Sequence, residues 1–318
     1  MKFATFFVAT LLAAAPQLHA QDKTYPDRAV VIAVPFTAGS SSDSNARFFA
    51  EQLSKTFNSA FVVENRPGAS GVVAVMATKN APADGHSILL ASNSPISVNP
   101  VTIKGLSYDP IKDFKPVSGL MRGMQAIITS PNSNVRTFEE FVAMARQKGA
   151  NVGTYSDGYR LGLAWLAGQT GADLASVSYK GAAMVFTDVM GGHIDAGLVD
   201  LGGALPLIKA GKLRILAVTG ESRNIELPMV PTVKESGYPE YVNYSWTSFY
   251  VRSETPEDIT RKLEVALQKS LHSEAAREMA KKMGTELMPY TADQMREYQN
   301  AEVVRFRRIA EAAGIKPQ

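Results

Sequence analysis

Val30-Val31-Ile32-Ala33-Val34-Pro35-Phe36-Thr37-Ala38-Gly39-Ser40-Ser41-Ser42-Asp43 decides how this chain folds. The run Val30 to Pro35 is apolar and β-branched, the pattern of a short buried strand. Small residues then fill the loop Phe36 to Ser42. A helix follows, with Ala46, Phe49, Ala50, Leu53 and Phe57 near i, i+3, i+4, i+7 spacing. Asp43 reads as the N-cap of that helix. Strands entering helices through short loops build an α/β protein with mostly parallel sheets.

The same unit recurs outward from this stretch. Phe61 to Glu64 and Ser87 to Ser92 read as further strands, with a turn at Asn65-Arg66-Pro67-Gly68 between them. A second set follows: Asn151 to Tyr155, Ala175 to Tyr179, Ile194 to Val199 and Leu213 to Thr219. Thr137 and Glu140 form a capping box for a helix over 138–147. Two longer extended runs, Phe114 to Ser130 and Tyr244 to Val251, separate and follow the sets. Near the end, Thr255-Pro256 with Asp258 predicts a helix with proline at its first position. Thr291 and Gln294 form another capping box. The pattern implies two α/β lobes and two crossings: residues 21–123 plus 246–318 in one lobe, 124–245 in the other. Small ligands bind in clefts of this kind.

Residues 1–20 stand apart. Met1-Lys2, the apolar run Phe3 to Ala15 and the small-residue end Leu18-His19-Ala20 have the layout of a cleavable secretory signal peptide. The run falls short of the roughly 20 apolar residues of a membrane span. A mature chain beginning near Gln21 is expected in an exported compartment. With no cysteine in the sequence, a disulfide framework, a thiolate metal site and a lipid-attachment cysteine are all excluded. A net charge of +3 over 318 residues is too balanced to imply nucleic acid or a membrane surface. Hydrophobic content of 45% and charged content of 20% are those of an ordinary globular protein.

The residues do not argue for an enzyme. Gly68-Ala69-Ser70-Gly71 lacks the spacing of a nucleophile elbow, and no phosphate loop, dinucleotide fingerprint or zinc-protease helix appears. His86 and His193 lie in turns and His272 on a polar helix. No carboxylate or histidine cluster has metal-ligand spacing, so neither cofactor nor metal is expected. Anion capture fits better. Small residues between strand and helix expose backbone N–H groups, and the helix adds its positive end. Three places qualify: Pro35 to Ser44; Tyr155 to Leu161, which holds Asp157, Gly158, Tyr159 and Arg160; and Tyr179-Lys180-Gly181-Ala182-Ala183. Arg160 either meets a ligand, caps a helix or pairs with Asp157, and Lys180 reads as a solvated cation. Asp200 either faces the cleft or starts the next turn.

Val34 to Asp43 resembles the V-P-F-x-A-G-G-G-x-D loop of the Bug, or TctC-like, periplasmic receptors, the solute-binding components of tripartite tricarboxylate transporters. Further matches follow in order. They are Val63-Glu64-Asn65-Arg66-Pro67-Gly68-Ala69-Ser70-Gly71, Ala83-Asp84-Gly85, and Tyr108-Asp109-Pro110-Ile111-Lys112-Asp113-Phe114. Tyr179-Lys180-Gly181, Asp188-Val189-Met190-Gly191-Gly192, Ile208 to Arg214, Leu216 to Thr219, Val230 to Val233 and Ala313-Gly314-Ile315 continue the series. The resemblance spans the mature chain. It implies a two-lobed periplasmic-binding-protein fold of the two-crossover-strand type, a ligand cleft between lobes, hinge closure and no catalysis. It also implies a small carboxylate ligand, membrane permease subunits as partners, and a monomer. Carried over residue by residue, the first-lobe contacts are Phe36, Thr37, Ala38, Gly39, Ser40 and Ser41, with Ser92, Asn93 and Ser94 beside them. The second-lobe contacts are Tyr155, Ser156, Asp157, Tyr159, Arg160, Gly181, Ala182, Ala183 and Asp200.

Departures from the family pattern bear on specificity. Ser40-Ser41-Ser42 replaces a triple glycine, adding hydroxyl donors and reducing room. Tyr155-Ser156-Asp157-Gly158-Tyr159-Arg160-Leu161 replaces a segment of small residues, which suggests a larger or aromatic ligand, or one with a second anionic group. Gly181-Ala182 replaces Gly-Ser, leaving backbone amides but no hydroxyl there. The leading expectation is a periplasmic receptor delivering a small organic acid to a tripartite tricarboxylate-type transporter. The alternatives are a receptor signalling through a sensor kinase and, from another class, an exported hydrolase using Ser40 to Ser42 with His86 or His193.

Overall fold

The structure, a computed structural model, describes residues 25–317. The predicted signal peptide lies outside the described residues. In chain order the first part comprises β1 (Val30–Val34), α1 (Ser41–Phe57), β2 (Phe61–Asn65), α2 (Val72–Lys79), β3 (Ser87–Ser92) and the single turn α3 (Asn99–Thr102). The long strand β4 (Phe114–Thr129) leads into α4 (Phe138–Lys148), β5 (Ala150–Thr154), α5 (Asp157–Thr170) and β6 (Leu174–Ser178). Next come α6 (Ala182–Gly191), β7 (Ala196–Asp200), α7 (Leu201–Lys209) and β8 (Arg214–Val218). The chain returns through β9 (Tyr244–Arg252) to α8 (Glu257–Leu271), α9 (Glu274–Met283), β10 (Thr285–Leu287) and α10 (Ala292–Ala312).

Strand β4 unites two sheets. In the first, β2, β1 and β3 run parallel, and β9 lies antiparallel between β3 and β4. In the second, the far end of β4 pairs antiparallel with both β7 and β8, while β7, β5 and β6 run parallel. The two crossing strands differ. Residues Gln125 to Thr129 of β4 enter the second sheet, whereas the β9–β4 ladder ends with Tyr244 opposite Met124 at the junction. The register slips twice along this ladder, between Pro116 and Ser118 and between Gly119 and Met121. Such bulges bend a strand. Gly119 and Gly123 are required by β10: a Cβ would stand 2.6 Å from the Met288 carbonyl at one and 3.0 Å from Thr285 at the other.

Each sheet has its own core. Phe49, Leu53, Ile88, Leu120, Phe249 and Leu267 pack in the first lobe; Ile127, Phe138, Phe141, Val152, Leu198 and Val218 pack in the second. Burying a side chain of this size is worth ~1.5–3 kcal/mol, so each lobe carries its own driving force for folding. Two sequence expectations are corrected at helix ends. Ser40, with extended backbone, is the N-cap of α1 and accepts from the Asp43 amide; Asp43 lies three residues inside. Pro256 is likewise extended (ψ 141°), so α8 begins one residue later than predicted and Pro256 stands at the cap.

Candidate ligand-binding site

Three helix N-termini meet between the lobes. Ser41 and Ser42 open α1, Tyr159 lies in the first turn of α5, and Asp200 and Gly202 open α7; all five line one narrow cavity of about 40 Å³. Its floor is the crossing strands, with Met121 to Met124 of β4 and Ser245 to Thr247 of β9. Phe36, Asn45, Ser92, Asn93, Ser94, Tyr155 and Thr285 complete the wall.

A chain of hydroxyls spans the cleft. The Asp200 carboxylate caps α7 by accepting from the Gly203 amide at 2.7 Å, and it also accepts from Ser41 Oγ of the opposite lobe. Tyr155 donates to its other oxygen at 2.6 Å. Having one proton to give, Tyr155 must accept from Tyr159, whose hydroxyl is 2.7 Å away. Ser245 Oγ then donates to Tyr159 at 3.3 Å. Burial, followed by the Asp200 charge, pushes both phenols well above their ordinary range, so they remain neutral donors at physiological pH. The rings lie 4.3 Å apart, and Phe36 meets Tyr155 edge-on at 5.7 Å.

Further bonds hold the lobes together at α5. Ser94 Oγ accepts from the Gly158 amide at 3.1 Å and lies 2.8 Å from Ser156 Oγ. Ser70 Oγ accepts from the Asp157 amide at 3.1 Å. Ala69 and Ser70 adopt left-handed backbone, φ 45° and 50°. That conformation costs an L-residue about 1–2 kcal/mol, and here it aims Ser70 across the cleft.

The predicted residues divide three ways. Phe36, Ser41, Ser92, Asn93, Ser94, Tyr155, Tyr159 and Asp200 line the principal cavity. Ser156, Asp157 and Arg160 instead line an adjoining pocket beyond the Phe36–Tyr155 contact, together with Ser70, Tyr179 and Lys180. There Arg160 Nε donates to Asp157 at 2.8 Å. Thr37, Ala38, Gly39, Ser40, Gly181, Ala182 and Ala183 line neither space. The Gly39 amide donates to Asp43 at 3.1 Å, the Ser40 amide to the Thr37 carbonyl at 3.3 Å, and Thr37 packs directly on Gly181.

Sequence reasoning missed Arg122, Asn45, Ser70 and Ser245. Arg122 left a trace, as the one charge between Gly119 and Gly123 in the crossing strand. Ser70 left none, because its role depends on a partner 87 positions away. His86 lies beside Asp27 and Asp84, at 3.1 and 3.2 Å, and His193 packs on Gly191; neither lines the cavity with Ser41. Among the described residues, neither histidine of the hydrolase alternative stands in the cavity with Ser41.

A cavity closed between two α/β lobes and reached by helix N-termini from both defines a two-lobed solute-binding protein. The chain belongs to the tripartite tricarboxylate transporter receptor family, TctC, whose family model matches residues 45–315. It is similar to the protein BugT of Bordetella pertussis, with 30% identity over 322 residues, 98% of this chain and 96% of that one. Among solved structures, an R. palustris protein with adipate matches 92% of this chain and 100% of its own at TM-score 0.90 and 29% identity. The periplasmic binding protein BugD matches 92% of this chain and 100% of its own at TM-score 0.88 and 27% identity. No helix among the described residues is long and apolar enough to cross a membrane.

Proposed function

We propose that this chain is a periplasmic receptor that captures a small organic acid and delivers it to the membrane permease of a tripartite transporter. The observation that carries the reading is the donor-rich cavity between the lobes. The amides of Ser41 and Ser42 begin a 17-residue helix and have no acceptor within it. They carry the positive end of the helix to the cavity wall. Ser92 Oγ, a hydroxyl able to donate, is buried in the same wall with no partner among the described residues. A buried hydroxyl is normally satisfied, and a ligand oxygen would accept from it. The related R. palustris structure with adipate supports a carboxylate.

The two lobes are proposed to divide at the crossing strands, with 21–123 plus 246–318 against 124–245. Closure then follows from a ligand that touches both walls, since only differential affinity shifts an open–closed equilibrium. The other predicted contacts belong to the same proposal, with Arg160 in the adjoining pocket. The test is a thermal-shift screen of the mature protein, stripped of bound small molecules by unfolding and refolding, against aliphatic and aromatic acids and their amides. Binding to the native state raises the midpoint by mass action. A rise with an acid but not with its amide is expected; equal rises, or none with any acid, overturn the reading.

A further inference from the structure

We infer that the acid this cavity takes also carries an amino group, so that the ligand is a zwitterion; the step rests on the acid-binding reading above. The free donors of the cavity lie on the first-lobe wall, in the Ser41 and Ser42 amides and the Ser92 hydroxyl. Around Asp200 the pattern reverses. Ser245 gives its proton to Tyr159, Tyr159 to Tyr155 and Tyr155 to Asp200, so each hydroxyl spends its only proton along the chain. Oxygen lone pairs are what that wall has left, and its last member is a carboxylate. Asp200 is buried, but its acceptor capacity is not used up. Oδ1 takes Ser41 and the Gly203 amide, whereas Oδ2 takes Tyr155 alone. A carboxylate has about four lone-pair sites, so Oδ2 keeps one. Among the described residues no cation answers this charge within the cavity. Arg122 lines the floor, but in the ladder it stands opposite Trp246 and Glu286. Its side chain therefore leaves on the face away from Ser245 and Thr247, where Glu286 holds it.

Asn45 gives an independent sign. It is 3% exposed, lines the cavity and stands one turn beyond Ser41 on the same face of α1. Thr247 Oγ1 donates to the Met121 carbonyl at 3.4 Å and accepts from Asn45 Nδ2 at 3.2 Å. That bond points the amide nitrogen at Thr247 and leaves Asn45 Oδ1 buried with no partner among the described residues. A buried carbonyl oxygen needs a donor. A carboxylate has none to give, and an ammonium group has three. A plain acid meets a further obstacle. Ser41 carries both an open α1 amide and the hydroxyl bound to Asp200, so an anion at that amide sits beside the Asp200 carboxylate. Like charges this close in a buried site repel. An ammonium group on the same molecule removes the repulsion and supplies the donor that Asn45 and Asp200 can accept.

Calorimetric titration of the mature protein, stripped of bound small molecules as above, tests this with matched pairs: propionate and alanine, succinate and aspartate, phenylpropionate and phenylalanine. Wild type should bind at least one amino acid more tightly than its counterpart without the amino group. Asp200→Asn keeps a side chain able to cap α7. It should lower the affinity ratio of amino acid to plain acid by about tenfold or more, weakening the first and strengthening the second. Asn45→Leu should lower the same ratio by about threefold or more. An unchanged ratio in either variant, as equal losses of both ligands would give, overturns the assignment. If Asp200→Asn does not fold, Asn45→Leu decides by the same ratio. Wild type that binds plain acids as tightly as their amino counterparts overturns the amino-group inference alone. Wild type that binds no acid, with or without an amino group, overturns the acid-binding reading.

Discussion

Helices α1 and α5 enter the cleft from opposite lobes, and their first turns are satisfied in opposite ways. In α1 the cap is internal: Ser40 takes the Asp43 amide, and the Asp43 carboxylate takes the Gly39 amide, Asn65 and Arg47. In α5 the local candidate, Ser156, caps nothing with its side chain. The Asp157 and Gly158 amides donate instead to Ser70 and Ser94 of the other lobe. The Ser40–Asp43 cap holds whatever the lobes do and leaves the Ser41 and Ser42 amides to a ligand, while the α5 amides find their acceptors only when the lobes close. On opening, the α5 amides turn to water or to a ligand oxygen. Hydroxyls in the closed state thus occupy the positions for which a carboxylate would compete.

The sharpest way to break this contrast is Gly158→Val. A Cβ at Gly158 would stand 2.5 Å from Ser94 Oγ and 3.2 Å from Asn93 Nδ2. Ser94 can turn away from a methyl group, but a branched side chain forces the walls apart. Overpacking of this kind costs ~3 kcal/mol at its upper range, which lowers acid affinity roughly a hundredfold. The thermal midpoint without ligand should change little. Small-angle scattering should show a variant that stays extended on addition of acid; a variant that compacts as wild type does would show that α5 needs no closure contact.

Asp43→Asn attacks the self-contained cap, and its effect belongs to stability. Burial opposes the charge of Asp43, but Arg47, the Gly39 amide and Asn65 outweigh it and hold the carboxyl below its ordinary value. The stabilisation is therefore complete above the unfolded carboxylate pKa and is lost as pH falls through the lower folded value. Hydrogen bonds to a charged group are each worth ~1.5–3 kcal/mol. Urea unfolding at neutral pH should show a loss of about that size, narrowing as the solution is acidified. A loss equally large at the acid end would remove Asp43 from the account.

Arg160→Ala should do least. The Arg160–Asp157 pair is partly exposed, and such pairs contribute ~0.2–1 kcal/mol. Acid affinity measured by calorimetry should fall by no more than about threefold, by the same factor for diacids and monoacids. A selective loss of diacid binding would make Arg160 a contact for a second carboxylate.

Much of the architecture is legible because it is written in local pattern. Strand β1, the small-residue loop after it and the apolar stripe of α1 follow from side-chain period. So do the capping boxes at Thr137 and Thr291, which the structure forms as read. Ser40 escaped because three consecutive serines offer equivalent caps, and only the backbone angle chooses among them. About half of the predicted contacts line the principal cavity. Those that do not, such as Gly39 and Gly181, are occupied by neighbours whose proximity no spacing rule reveals.

The sequence by itself determined that this is an α/β chain with two sets of strand–loop–helix units, and that small residues stand where its helices begin. Such features depend on neighbours a few residues away, so they survive in any fold the chain adopts. The tertiary structure alone decided which amides remain open and that two tyrosines fill the second wall. Each of these rests on contacts between segments tens of positions or more apart, Ser41 with Asp200 and Asp157 with Ser70 among them. Donors and charges are committed or left free only when closure brings those segments together.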